Sequence, residues 1–146
     1  MSIPASRALE TPTGDTVVVK ADTETTGGSL TVLEFLVEAK SGPALHTHAR
    51  DDELWFVLDG EFRFRTGERL TQVSAGGLAF GPRGTPHCFQ NVGDAPGRLL
   101  VVTTPAGLER FFEQFAALQA PVSAEQLATV AHASGVDFVG PPLGDT

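Results

Sequence analysis

Between Thr16 and Thr103 the chain is a succession of short apolar runs broken by Gly, Pro and Asp, and that rhythm restricts it to folds made of many short strands. The runs cover residues 16–20, 29–39, 45–48, 53–58, 61–66, 70–73, 77–80, 87–92 and 98–103. Strands this short and this evenly spaced predict an all-β sandwich or small barrel of antiparallel strands, not a parallel sheet. Residues 22–28, rich in Thr, Gly and acids, should turn the first two runs into a hairpin, because Gly supplies positive φ without steric cost. Asp59-Gly60 predicts a second, two-residue hairpin between 53–58 and 61–66. Ahead of the first run the chain is irregular through Pro4 and Pro12.

The pattern changes at Thr104-Pro105, where a hydroxyl precedes a proline suited to the first helical position, so a helix is predicted to begin there. Leu108, Phe111, Phe112, Phe115 and Leu118 recur at helical spacing and give it one apolar face, with Glu109, Arg110 and Glu113 largely away from that face. Such a helix should pack on the outside of the barrel. Ser123-x-x-Gln126 has the form of a capping box opening a second helix, bracketed at its far side by Gly135 and Pro141-Pro142. The expected organisation is a β-barrel over residues 1–104 and a helical extension over 105–146 packed on the same domain.

A length of 146 residues suits one domain with a real core, and 41% apolar against 19% charged residues is an ordinary globular balance. The net charge of −8 leaves no basic field for a phosphate backbone, which argues against nucleic acid as a partner. No apolar stretch has the length of a signal peptide or a membrane span, so the expectation is a cytoplasmic protein without membrane contact. Cys88 is the only cysteine, which rules out an internal disulfide.

Histidines are few, and three of the four lie between positions 46 and 87 in strand-like surroundings. Residues two apart on a strand point to one face, so His46 and His48 can aim both imidazoles at one point. Glu53 begins the next run and can add a carboxylate, while His87 opens a run able to cross the same cavity. Asp52 competes with Glu53 if the intervening loop is one residue shorter, and Asp51 with Asp52 reads as a solvated acidic turn. Alternation places Trp55 and Val57 on the face of Glu53, and Phe89 and Asn91 on that of His87, so these four should line a pocket near the site. Cys88 faces the other way, and His132 belongs to the surface of the second helix.

These residues fall into two spaced motifs. His46-Thr47-His48, four residues, Glu53 and six residues to Gly60 make the first; Gly76, Pro82, Gly84, His87 and Asn91 make the second. In that order and spacing the chain resembles the cupin superfamily, and its flanking strands and helical tail are similar to small bacterial cupins of the quercetin dioxygenase type. One departure is Gly42, which sits two residues too close to His46 for the leading glycine of the first motif.

The resemblance implies a cupin (jelly-roll) barrel holding one divalent metal ion on His46, His48, Glu53 and His87. Three imidazoles and a carboxylate suit Fe, Mn, Ni, Co, Cu or Zn and match Ca or Mg poorly. It implies a dioxygenase acting on a small enolisable or aromatic substrate, with Glu53 able to leave the ion and act as general base. A non-oxidative isomerase, cyclase or decarboxylase using the ion as a Lewis acid is the alternative, and a non-catalytic small-molecule binding module is the second. Cupin barrels commonly pair and strand edges need covering, so a homodimer is expected.

Overall fold

In the computed structural model, which describes residues 1–3 and 6–144, ten strands come first: β1 (Arg7–Glu10), β2 (Thr16–Ala21), β3 (Thr31–Val37), β4 (Ala44–His48), β5 (Asp52–Asp59), β6 (Glu61–Thr66), β7 (Arg69–Ser74), β8 (Leu78–Gly81), β9 (His87–Asn91) and β10 (Gly97–Thr104). Two helices, α1 (Glu109–Ala116) and α2 (Ala124–Ala133), and a last strand, β11 (Val136–Pro142), follow. The start, expected to be irregular through Pro4 and Pro12, is not so throughout: Arg7–Glu10 form β1 and pair with β2, while Pro4 lies outside the described residues. The strands form two antiparallel sheets, ordered β1-β2-β3-β10-β5-β8 and β11-β4-β9-β6-β7. This is the all-β antiparallel arrangement that the strand rhythm predicts, in the two-sheet jelly-roll form that the resemblance implies.

Period-two alternation sets the core. Val17, Val19, Leu33, Trp55, Val57, Leu99 and Val101 point inward from the first sheet and meet Phe62, Phe64 and Phe89 from the second. The three phenylalanine rings pack with centroids 6.1–6.2 Å apart, and each side chain of this size contributes roughly 1.5–3 kcal/mol through burial. The β2–β3 hairpin forms as expected.

The Asp59-Gly60 hairpin does not. β5 pairs with β10 and β8, whereas β6 pairs with β7 and β9, so this turn carries the chain from one sheet to the other. Gly60 has φ +95° and lies against Gly97. The glycine serves a corner, and β5 is already paired on both edges, leaving β6 no place beside it. The tight hairpin lies instead at Gly67, where Thr66 pairs with Arg69.

The first helix also starts later than Thr104-Pro105. Thr104 is the last residue of β10, opposite Asp52, and its peptide bond to Pro105 is cis. α1 begins at Glu109 without a side-chain cap. Glu109 is not on an exposed face: it is buried, and its carboxylate accepts hydrogen bonds from Thr23 Oγ1 (2.6 Å), Thr23 N (3.3 Å) and Thr31 Oγ1 (2.6 Å). These donors tie the first turn of α1, where negative charge suits the helix dipole, to the β2–β3 connection and to β3.

α2 has the expected capping box, Ser123 Oγ accepting from Gln126 N and Gln126 Oε1 from Ser123 N. The chain leaves it through Gly135, with φ +80°, and adds β11, a strand the pattern did not announce. Pro141 and Pro142 are therefore part of a strand; β11 is an edge strand, where proline costs no ladder bond that a neighbour needs. No helix among the described residues is long and apolar enough to cross a membrane.

Candidate metal centre

The two sheets bring together four side chains that are distant in sequence. His46 and His48 project from β4 to the same side, and His46 sits directly opposite His87 on β9. Glu53 faces them from β5 in the other sheet, where it pairs with Gly81 of β8 and Thr103 of β10. One potential ligand atom from each of the four lies within 4.8 Å of all the others. That is near the spread allowed by bonds of about 2.0–2.2 Å to a single centre. Asp52 points the other way and pairs with Arg83 (3.2 Å), so the carboxylate at the cluster is that of Glu53.

The outer nitrogen of each ring is already engaged. His46 Nδ1 lies 2.7 Å from Ala44 O, His87 Nδ1 3.1 Å from Thr85 O and His48 Nδ1 3.3 Å from Asp51 Oδ2. These oxygens only accept, so each Nδ1 carries the proton and each Nε2 is left facing inward. Glu53 Oε2 is 3.1 Å from His48 Nε2 and 3.0 Å from His87 Nε2. With neutral rings, lone pairs would face a carboxylate oxygen across these gaps, an arrangement that only a proton or a cation relieves. The donor set therefore fits a divalent ion, and the cluster can hold one.

The electrostatics point the same way. Burial and the neighbouring His87 hold His46 down at about 4, so its ring is neutral at neutral pH. Burial opposes charge on His48, but the Glu53 and Asp51 carboxylates outweigh it and raise that group. Burial likewise pushes Glu53 up, yet His48, His87 and His46 together hold it down at about 2. A metal ion bound here would compete with any proton held between His48 and these carboxylates, so metal affinity should fall as pH is lowered.

Asp51 is the orienting residue that the sequence pattern misread. It is buried, not solvated, and holds the His48 ring from behind. Its signal was position three after a candidate ligand, which a turn explains equally well. Gly81 is required by close approach: a Cβ there would meet the Trp55 ring at 2.7 Å and His87 Nδ1 at 3.1 Å.

A cavity of about 800 Å³ opens beside the cluster, with His46, His48 and Glu53 in its wall. Of the four residues expected to line a pocket, Phe89 does so. Trp55 and Val57 are instead core, Trp55 packing edge-on against His87 at 4.9 Å and Val57 fully buried beside Leu99. Asn91 locks a loop, donating to Val37 O and Ala95 O and accepting from Gly93 N. Alternation places all three inward, but the cavity lies to the other side of the cluster. Its walls also include Phe35 of β3, Phe111, Phe112 and Phe115 of α1, and Phe138 of β11, with Lys40, Ser41 and Gln90 among the polar residues. The apolar stripe of α1 thus closes the cavity instead of packing on the outside of a finished barrel. Cys88, facing away from the cluster, is buried, and burial pushes its thiol up.

Comparisons with known proteins agree with this geometry. The family described as Cupin domain matches residues 32–103, a stretch that holds all four cluster residues. An uncharacterized protein of Methanocaldococcus jannaschii is 27% identical over 79 residues, covering 54% of this chain and 63% of that one. The chain spans less than two thirds of the length of the curated relatives it matches. Among solved structures, TT1209 from Thermus thermophilus is 31% identical with a TM-score of 0.51, over 53% of this chain and 74% of that one. An RmlC-like cupin from Shewanella frigidimarina shares the fold at 17% identity and TM-score 0.61, over 73% of this chain and 89% of the other. Motif, fold and matched span coincide, and the chain belongs to the cupin family.

Proposed function

We propose that the protein is a metal-dependent cupin enzyme, a dioxygenase acting on a small apolar substrate with an enolisable or aromatic hydroxyl. The observation that carries this reading is the position of the cluster, through His46, His48 and Glu53, in the wall of a largely apolar cavity to which six phenylalanines contribute. Such a wall binds by apolar area and excludes water from the reacting atoms. Bound to the cluster, a redox-active divalent ion would supply electron transfer to dioxygen, and a redox-inert one only Lewis-acid polarisation.

The chain's own groups have separable tasks. Phe35, Phe89 and Phe138 bound the space on the sheet side, and Phe112 bounds it on the helix side. Asp51, Thr85 O and Ala44 O fix the imidazole orientations. Glu53 is the proton acceptor for a substrate hydroxyl. Its contacts with His48 and His87 keep it ionised but also weaken it as a base, so accepting a proton requires it to swing off them. The preference for oxygen chemistry comes from the resemblance to quercetin dioxygenase-like cupins.

The test is turnover of flavonols and other enolisable aromatics by protein loaded separately with Fe, Mn, Ni, Co, Cu or Zn, with and without oxygen. The proposal requires oxygen consumption matched to product. Turnover unchanged under anaerobic conditions would replace it with a Lewis-acid isomerase, cyclase or decarboxylase. Tight ligand binding without turnover on any ion would make the protein a binding module.

A further inference from the structure

One polar row crosses the otherwise apolar inner face of the six-stranded sheet. In cross-strand register it runs Gly81 on β8, Glu53 on β5, Thr103 on β10 and Thr31 on β3. Glu53, Thr103 and Thr31 are all buried. At the far end the Thr31 hydroxyl is engaged twice, donating to Glu109 Oε1 (2.6 Å) and accepting from Gly107 N (3.0 Å). Thr103 Oγ1, between Thr31 and Glu53, is fully enclosed and has no hydrogen-bond partner among the described residues. A buried hydroxyl left without a partner opposes folding, and valine, which has the same shape, would avoid that cost. Folding alone therefore gives no reason for a threonine at 103.

We propose that Thr103 is a positioning residue whose hydroxyl receives the Glu53 carboxylate when that side chain swings off His48 and His87. The inference rests on the reading of Glu53 as the mobile proton acceptor. Of the two positions that flank Glu53 in the row, Gly81 offers no side chain and Thr103 offers an O–H. Directly opposite residues have Cβ atoms about 4.5–5.5 Å apart, a gap that rotation of the glutamate side chain closes. Trp55 Nε1, two residues along β5 on the same face, is also without a partner, but its ring is turned towards Gly81 and Phe64. The substrate hydroxyl proton passes to one carboxylate oxygen of Glu53, and Thr103 Oγ–H donates to the other. Without that donor the displaced group would meet only the apolar face of the sheet, which opposes its leaving the imidazoles.

Cobalt(II)-loaded full chain under nitrogen tests this, with two probes followed through the visible cobalt bands. One is 3-hydroxychromone, a chelating enol that has to give up its proton; the other is azide, an anion with none to give. Thr103→Val should keep full cobalt occupancy, melt no lower than wild type and bind azide as wild type does. It should bind 3-hydroxychromone about tenfold or more weakly, the loss of one hydrogen bond to a charged group. Thr103→Ser, which keeps the hydroxyl, should restore that affinity. Unchanged 3-hydroxychromone binding in Thr103→Val would overturn the proposal. So would a lowered melting temperature, equal weakening of both probes, or no recovery in Thr103→Ser. Wild-type cobalt bands that do not respond to 3-hydroxychromone would overturn the parent reading of the site, and this proposal with it.

Discussion

At the level of single residues, the metal centre depends as much on what holds the imidazoles as on the imidazoles themselves. Asp51 is the one side-chain carboxylate among the outer contacts, so Asp51→Asn should lower metal affinity by about tenfold to a hundredfold while leaving the fold intact. A competition titration against a chromophoric chelator measures this. The other two acceptors, Ala44 O and Thr85 O, are backbone atoms and cannot be removed by substitution. They could not be read from side-chain types either. Gly81→Ala presses a methyl group into Trp55 and towards His87, and should cost about 1–3 kcal/mol in chemical denaturation together with some metal occupancy.

At the level of elements, period-two patterning and turn residues were sufficient to place the strands from β2 to β10, and His46 and His48 share a face because two residues separate same-side positions on β4. Which sheet each strand joins was less legible. Asp59-Gly60 has the chemistry of a tight hairpin, and only the pairing of β5 with both β8 and β10 turns it into a corner. β11 escaped because its short run follows a helix and ends in two prolines, and its partner residues on β4 lie about ninety to a hundred positions earlier. Glu109 looked like an exposed helix residue because the three donors that bury it come from distant threonine positions. Burial pushes its carboxyl up, but those hydrogen bonds outweigh it and hold the group below the usual range. A folded value below the unfolded one, about 4.3 for a glutamate, means stabilisation that is complete above the unfolded value and lost as pH falls through the folded one. The melting-temperature gap between wild type and Glu109→Gln should therefore be widest near neutral pH and shrink below about pH 4. Ser123→Ala should cost about 1 kcal/mol by loss of the capping box on α2, seen in the same melting experiment.

At the level of the whole molecule, the two sheets have different tasks. The five-stranded sheet supplies three imidazoles, the six-stranded sheet supplies the carboxylate, and the chain after β10 closes the cavity with α1 and β11. Metal binding should then hold the two sheets together across their gap and raise the melting temperature, with chelation reversing the gain. The central claim is that His46, His48, Glu53 and His87 form one ion site. Elemental analysis of protein purified without added metal, alongside His87→Ala, tests it most directly. The account predicts one first-row divalent ion per wild-type chain and marked loss of it in His87→Ala, and it is contradicted by full occupancy in that variant or by a wild type that takes up no ion even when one is supplied.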